Sequence, residues 1–158
     1  MILQNHGVSE DLISRALDGS KKFFALGEEE KRKYHLAGLG GARGYTGFGV
    51  ETAKGSTKYD LKEFWHLGRD LPPGHRYQDK MPPNVDVKEG DFSGVTKEIF
   101  TALDALGGRV LEALAVHLGW PAPLHRSSTA PRSCVYGFGV TYALTYYAPY
   151  HLRTLRGI

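Results

Sequence analysis

Arg43-Gly44-Tyr45-Thr46-Gly47-Phe48-Gly49-Val50-Glu51, followed a few residues later by Asp60-Leu61-Lys62-Glu63-Phe64-Trp65-His66-Leu67-Gly68, is the stretch on which the fold turns. Its first half lies in a glycine-dense region holding Gly38, Gly40, Gly41, Gly44, Gly47, Gly49 and Gly55. Each glycine disfavours a helix by roughly 1 kcal/mol relative to alanine, so no helix persists here. The region reads as a loop running to residue 57, with Arg43, Tyr45 and Phe48 set between glycines. Lys62 to Leu67 is rich in aromatic residues and reads as a short strand.

Working outward toward the N-terminus, residues 1–4 are mostly apolar and stop at Asn5-His6-Gly7, the pattern of a strand entering a turn. Ser9 then suits a helix N-cap, with Glu10 and Asp11 placed to complement the helix dipole. Leu12, Ile13, Ala16, Leu17, Phe23 and Phe24 recur at helical spacing, which predicts a helix over 9–26 ended by Gly27. A second, short helix is expected over 28–33.

Toward the C-terminus, Asp91 is the expected cap of a long helix over 91–118. Phe92, Val95, Ile99, Leu103, Leu106, Val110, Leu114 and Leu118 form an apolar stripe along it. Beyond Glu112 the composition shifts. The last 46 residues hold no aspartate, glutamate or lysine, while Arg126, Arg132, Arg153, Arg156 and five tyrosines remain. Residues 135–147 favour β structure without clean alternation. The expected organisation is a helix-dominated mixed α/β domain over 1–120 and a divergent, loosely packed tail over 121–158.

Bulk properties narrow the function classes. A net charge of +3 is too mild to argue for nucleic acid. The single cysteine, Cys134, excludes an intramolecular disulfide framework and a cysteine-cluster zinc site. No apolar run approaches the ~18 residues of a membrane span, so the expectation is a cytoplasmic protein without membrane contact. The run from Gly38 to Gly44 lacks the Gly-x-Gly-x-x-Gly spacing of a dinucleotide loop, because position 43 is arginine.

Four stretches in order resemble the N-terminal region of the isopenicillin N synthase-like non-haem Fe(II)/2-oxoglutarate-dependent oxygenases. They are Gln4-Asn5-His6-Gly7-Val8, then Phe23-Phe24-Ala25-Leu26 with Glu29-Glu30-Lys31, then 43–51, then 60–68. The resemblance covers about residues 2 to 120. It implies a double-stranded β-helix (jelly-roll) barrel with a helix-rich N-terminal region packed on its outside. It also implies iron held by a His-x-Asp pair and a distant His, and oxidation of a small molecule.

Such an iron site needs two imidazoles and one carboxylate on one face of the metal. The residues two positions beyond the seven histidines are Val8, Ala37, Gly68, Tyr77, Gly119, Ser127 and Arg153, none of them acidic. The expectation is therefore an N-terminal region without the barrel, with no catalytic residue, no metal ligand and no cofactor in this chain. Fe(II) and 2-oxoglutarate belong to a full-length relative. A shifted reading frame, an early stop and a genuine divergent tail all remain open for residues 121–158. An alternative function is a non-catalytic protein binding a partner, or itself, through the 91–118 stripe.

The candidate substrate-binding residues are Arg43, Tyr45 and His66. An arginine on a loop can pair bidentately with a carboxylate. Tyr45 can stack on or hydrogen-bond to a small organic acid, and His66 lies on a strand that would approach a barrel mouth. The competing structural reading makes Tyr45 a loop anchor and pairs Arg43 with Glu51 or Asp60. Lys62 and Glu63 are expected in surface ion pairs.

Overall fold

The computed structural model describes residues 3–52, 55, 57–60, 62–119 and the strand 142–147. The elements run α1 (Glu10–Phe24), α2 (Glu28–Arg32), β1 (Gly44–Thr46), β2 (Lys62–Leu67), α3 (Phe92–His117) and β3 (Tyr142–Tyr147). They fall into two compact units. One combines the chain up to Gly19 with the stretch from Lys88 that contains α3; the other combines Ser20–Val87 with β3.

In the first unit α1 starts as its sequence dictates. Ser9 Oγ accepts the Leu12 N–H at 3.2 Å and the Ser9 carbonyl accepts the Ile13 N–H at 3.1 Å. Val8, Leu12 and Ala16 form a buried cluster with Val95 of α3, and Ile13, Ile99, Ala102, Leu103 and Leu106 pack against it. Gly19 permits close approach, since a Cβ there would lie 3.2 Å from Val95 Cγ1. Arg15 joins the two helices at the surface, bonding Asp11 at 3.0 Å and Glu98 at 2.9 Å. The turn before α1 is held by Arg109, whose Nη2 donates to the His6 carbonyl at 2.6 Å.

The long stripe of α3 is thus covered over its first half by α1. Phe92, Val95 and Phe100 are buried, while Leu114, Val116 and Leu118 are 49%, 59% and 64% exposed. Asp91 does occupy the N-cap of α3, but its side chain makes no cap hydrogen bond; the first turn closes through its backbone carbonyl to the Val95 N–H. Gly27 does not end α1 in a left-handed turn. Its φ of −58° makes it the N-cap of α2 instead.

The second unit centres on an antiparallel three-stranded sheet in the order β1-β2-β3. Tyr45 pairs with Trp65 across β1 and β2, and His66 with Ala143 across β2 and β3. The expected loop to residue 57 is therefore interrupted by β1, three residues too short to show a period. The tail expected to pack loosely supplies β3, which pairs along all six residues of β2; the rest of the tail, residues 121–141 and 148–158, lies outside the described residues. The expected N-terminal strand is absent at Leu3 and Gln4, which have no strand pairing. Phe23 packs edge-on against Trp65 at 5.0 Å and Tyr45 at 6.1 Å between ring centres. Among the described residues no helix is long and apolar enough to cross a membrane.

Candidate functional site around the glycine loop

Alternation along β2 sends Glu63, Trp65 and Leu67 to one face and Lys62, Phe64 and His66 to the other. On the first face lies a buried polar network. The Lys31 ammonium donates to both Glu63 oxygens, at 2.9 and 2.7 Å, and to the Phe24 carbonyl at 3.1 Å. The Tyr45 hydroxyl donates to Glu63 Oε2 at 2.5 Å. All three ammonium protons and the phenol proton are spent, so the network is closed. It ties α2, β1 and β2 together in a region where Tyr45 is 1% and Glu63 2% exposed. Burial, then the hydrogen bond to Glu63, raises the Tyr45 pKa well above the ordinary phenol range. Glu63 is accordingly no surface residue. A carboxylate placed directly before Phe64-Trp65 was the one legible sign of this pair.

Lys62, on the opposite face, does form the outer ion pairs. It reaches Glu51 at 2.8 Å and Asp60 at 3.4 Å, and the Glu51 contact is the main reason its pKa is raised. Those two carboxylates are thereby taken, and Arg43 does not pair with either. Arg43 is 5% exposed. Its Nη1 donates to the Ala42 carbonyl at 2.7 Å, and its Nε is buried without a hydrogen-bond partner among the described residues. Burial pulls its pKa down and the charge of Asp70 opposes that. The guanidinium lies where a Cβ of residue 68 would be, 2.2 Å from that position, so Gly68 is what makes room for it.

The glycine loop is pinned by two imidazoles. His66 Nδ1 lies 2.5 Å from the Gly41 carbonyl, and His35 Nδ1 lies 3.0 Å from the Tyr45 carbonyl. His66 is partly buried and its ring sits 4.6 Å from that of Phe64. Thr46 Oγ1, close to Gly41, is buried without a partner among the described residues. The three residues singled out from the sequence therefore share one loop-and-strand substructure with different accessibility. Arg43 and Tyr45 are enclosed, and His66 is the partly exposed one.

Among the described residues no group of three or more His, Cys, Asp or Glu side chains is placed to hold a metal ion. Glu63 is saturated by Lys31 and Tyr45, and His35 and His66 have no carboxylate gathered with them. These residues do not fit an iron centre.

The family described as non-haem dioxygenase in morphine synthesis, N-terminal, matches residues 1–89. The chain belongs to this family. Among its relatives is the 2-oxoglutarate-dependent dioxygenase caaD of Aspergillus niger, 35% identical over 134 residues, covering 80% of this chain and 40% of that protein. A solved structure of a 2OG-Fe(II) oxygenase family protein from Caulobacter crescentus is 48% identical with a TM-score of 0.67. It covers 75% of this chain and 39% of that one. A full-length Neurospora crassa protein solved in complex with alpha-KG is 27% identical with a TM-score of 0.59, over 76% of this chain and 37% of that one. The chain thus spans about two-fifths of the length of the relatives it matches.

Proposed function

We propose that this chain is the N-terminal, helix-rich scaffold of an Fe(II)/2-oxoglutarate-dependent oxygenase acting on a small molecule, and that these 158 residues alone neither hold iron nor catalyse. Residues 1–120 form the family's N-terminal domain in this reading, and 121–158 a divergent tail. The observation that carries it is the family match at the N-terminal end of relatives more than twice as long, in a chain whose histidines are nowhere followed two residues on by an acid. The jelly-roll barrel, the iron ligands and the 2-oxoglutarate site belong to the remainder of such an enzyme. Of Arg43, Tyr45 and His66, the last is the substrate-facing residue, while the first two shape the loop that frames it.

The test is anaerobic Fe(II) titration of the purified chain, followed by a succinate assay with 2-oxoglutarate and oxygen. The expected result is no stoichiometric iron binding and no succinate above a protein-free control. Stoichiometric Fe(II) binding with turnover overturns the proposal. Translating the DNA beyond codon 158 in all frames is a second test, with a His-x-Asp pair expected in one of them.

A second reading is supported by the outer half of α3. Leu3, His6, Leu106, Val110, Ala113 and Leu114 line an open groove of about 370 Å³, and Leu118 is 64% exposed. Exposed apolar surface of this kind favours self-association. Sedimentation velocity across a concentration series reads this directly.

A further inference from the structure

The hydrogen bonds of four histidines fix which ring nitrogen carries the proton, and they divide these rings into two classes. A carbonyl oxygen only accepts, so an imidazole nitrogen facing one must donate. His66 and His35 each turn Nδ1 toward a carbonyl, those of Gly41 and Tyr45. In the neutral ring Nε2 is then a bare acceptor. His6 and His75 are the reverse. Their Nδ1 atoms accept the Val8 and Tyr77 N–H groups, each at 3.2 Å, so in the neutral ring Nε2 carries the proton.

We propose that His66 is a specificity-determining residue which presents Nε2 as a hydrogen-bond acceptor to a neutral O–H or N–H group of the substrate. This rests on the reading that the chain is part of an oxygenase acting on a small molecule. Three observations carry it. The bond to Gly41 orients the ring and holds the tautomer, which is how a second polar contact commonly prepares an imidazole for a ligand. No partner of Nε2 is present among the described residues, although His66 sits in a substructure whose other polar side chains are mostly committed. Finally, the ring is only partly buried and is steadied by Phe64, whereas His35, pinned in the same way, stands exposed in the loop with no ring against it among the described residues. The ligand class follows from the tautomer. A bare lone pair attracts a hydroxyl, phenol or amide donor and repels the lone pairs of a carboxylate.

The experiment uses the whole chain labelled with ¹⁵N-histidine, read by two-bond nitrogen–proton correlation at a pH where the rings are neutral. His66 and His35 should show the Nδ1–H pattern and His6 and His75 the Nε2–H pattern. Phenol, anisole and acetate are then titrated in parallel. Phenol should shift the His66 Nε2 resonance saturably, and anisole, which lacks the donor, and acetate should not. An Nε2–H pattern at His66 overturns the proposal, as does an equal response to phenol and anisole, a larger response to acetate, or no response to phenol. These readouts involve neither iron nor turnover, so failure here is distinguishable from failure of the oxygenase reading.

Discussion

Replacing Glu63 by glutamine should remove much of the stability of the sheet unit. The side chains of Lys31 and Glu63 are 8% and 2% exposed, with 2.7 Å between Nζ and Oε2. At that separation two unit charges attract by about 6 kcal/mol at an effective dielectric of about 20. The desolvation of both groups offsets much of this, so the intact pair adds little net stability. Breaking it is another matter, because the ammonium is then left buried with a neutral neighbour. The expected loss for Glu63→Gln is about 3–5 kcal/mol, against a total stability of roughly 5–15 kcal/mol for an ordinary domain. Lys31→Met alone strands the carboxylate and should lose a similar amount. The double variant leaves no buried charge, and the amide oxygen of the new glutamine still accepts the Tyr45 hydroxyl proton, so it should be more stable than either single variant. The assay is urea denaturation followed by tryptophan fluorescence, since Trp65 is 2% exposed and lies in the same core. A loss below about 1 kcal/mol for Glu63→Gln, or single effects that simply add in the double variant, would refute the claim of a closed, water-excluded pair.

Further outcomes follow from the same substructure. Because the folded state holds Tyr45 neutral above its ordinary pKa, its contribution is intact below about pH 10 and declines as pH rises from there toward the raised folded value. Urea midpoints between about pH 8 and pH 11 should therefore fall more steeply for the native chain than for Tyr45→Phe; parallel slopes would contradict the buried bond to Glu63. Gly44 has φ +75° and a Cβ there would lie 2.4 Å from the Tyr34 carbonyl oxygen, which is backbone, so Gly44→Ala should lose about 2–5 kcal/mol. Gly68→Ala meets the end of the Arg43 side chain instead and should lose about 1–3 kcal/mol; thermal melts that reverse this order would show that Arg43 is the stiffer obstacle.

Local signals carried the fold a long way. The strand over 62–67 was readable from its aromatic residues and the two main helices from periods that run over enough residues to be distinctive, and Ser9 caps α1 as its position suggests. The site was only half readable. Arg43, Tyr45 and His66 were identifiable as chemistry-bearing residues on a glycine loop and the strand beside it, but their accessibility was not. Lys31 sits in a run of six charges that looks solvated from end to end, and only its contact with a strand thirty-two residues away explains its burial.

What the sequence determined by itself is therefore local and categorical: which segments are helical, where the glycines forbid a helix, which family the motifs resemble, and that no histidine has an acid two residues on. Tertiary structure alone decided which charge is buried, which half of the α3 stripe is covered by α1, and that Gly44–Thr46 becomes a strand once β2 lies beside it. The physical reason is that helix propensity and spacing act between residues a few positions apart. Burial, strand pairing and the tautomer of His66 depend on partners brought near only by the folded chain, such as Gly41, twenty-five residues away.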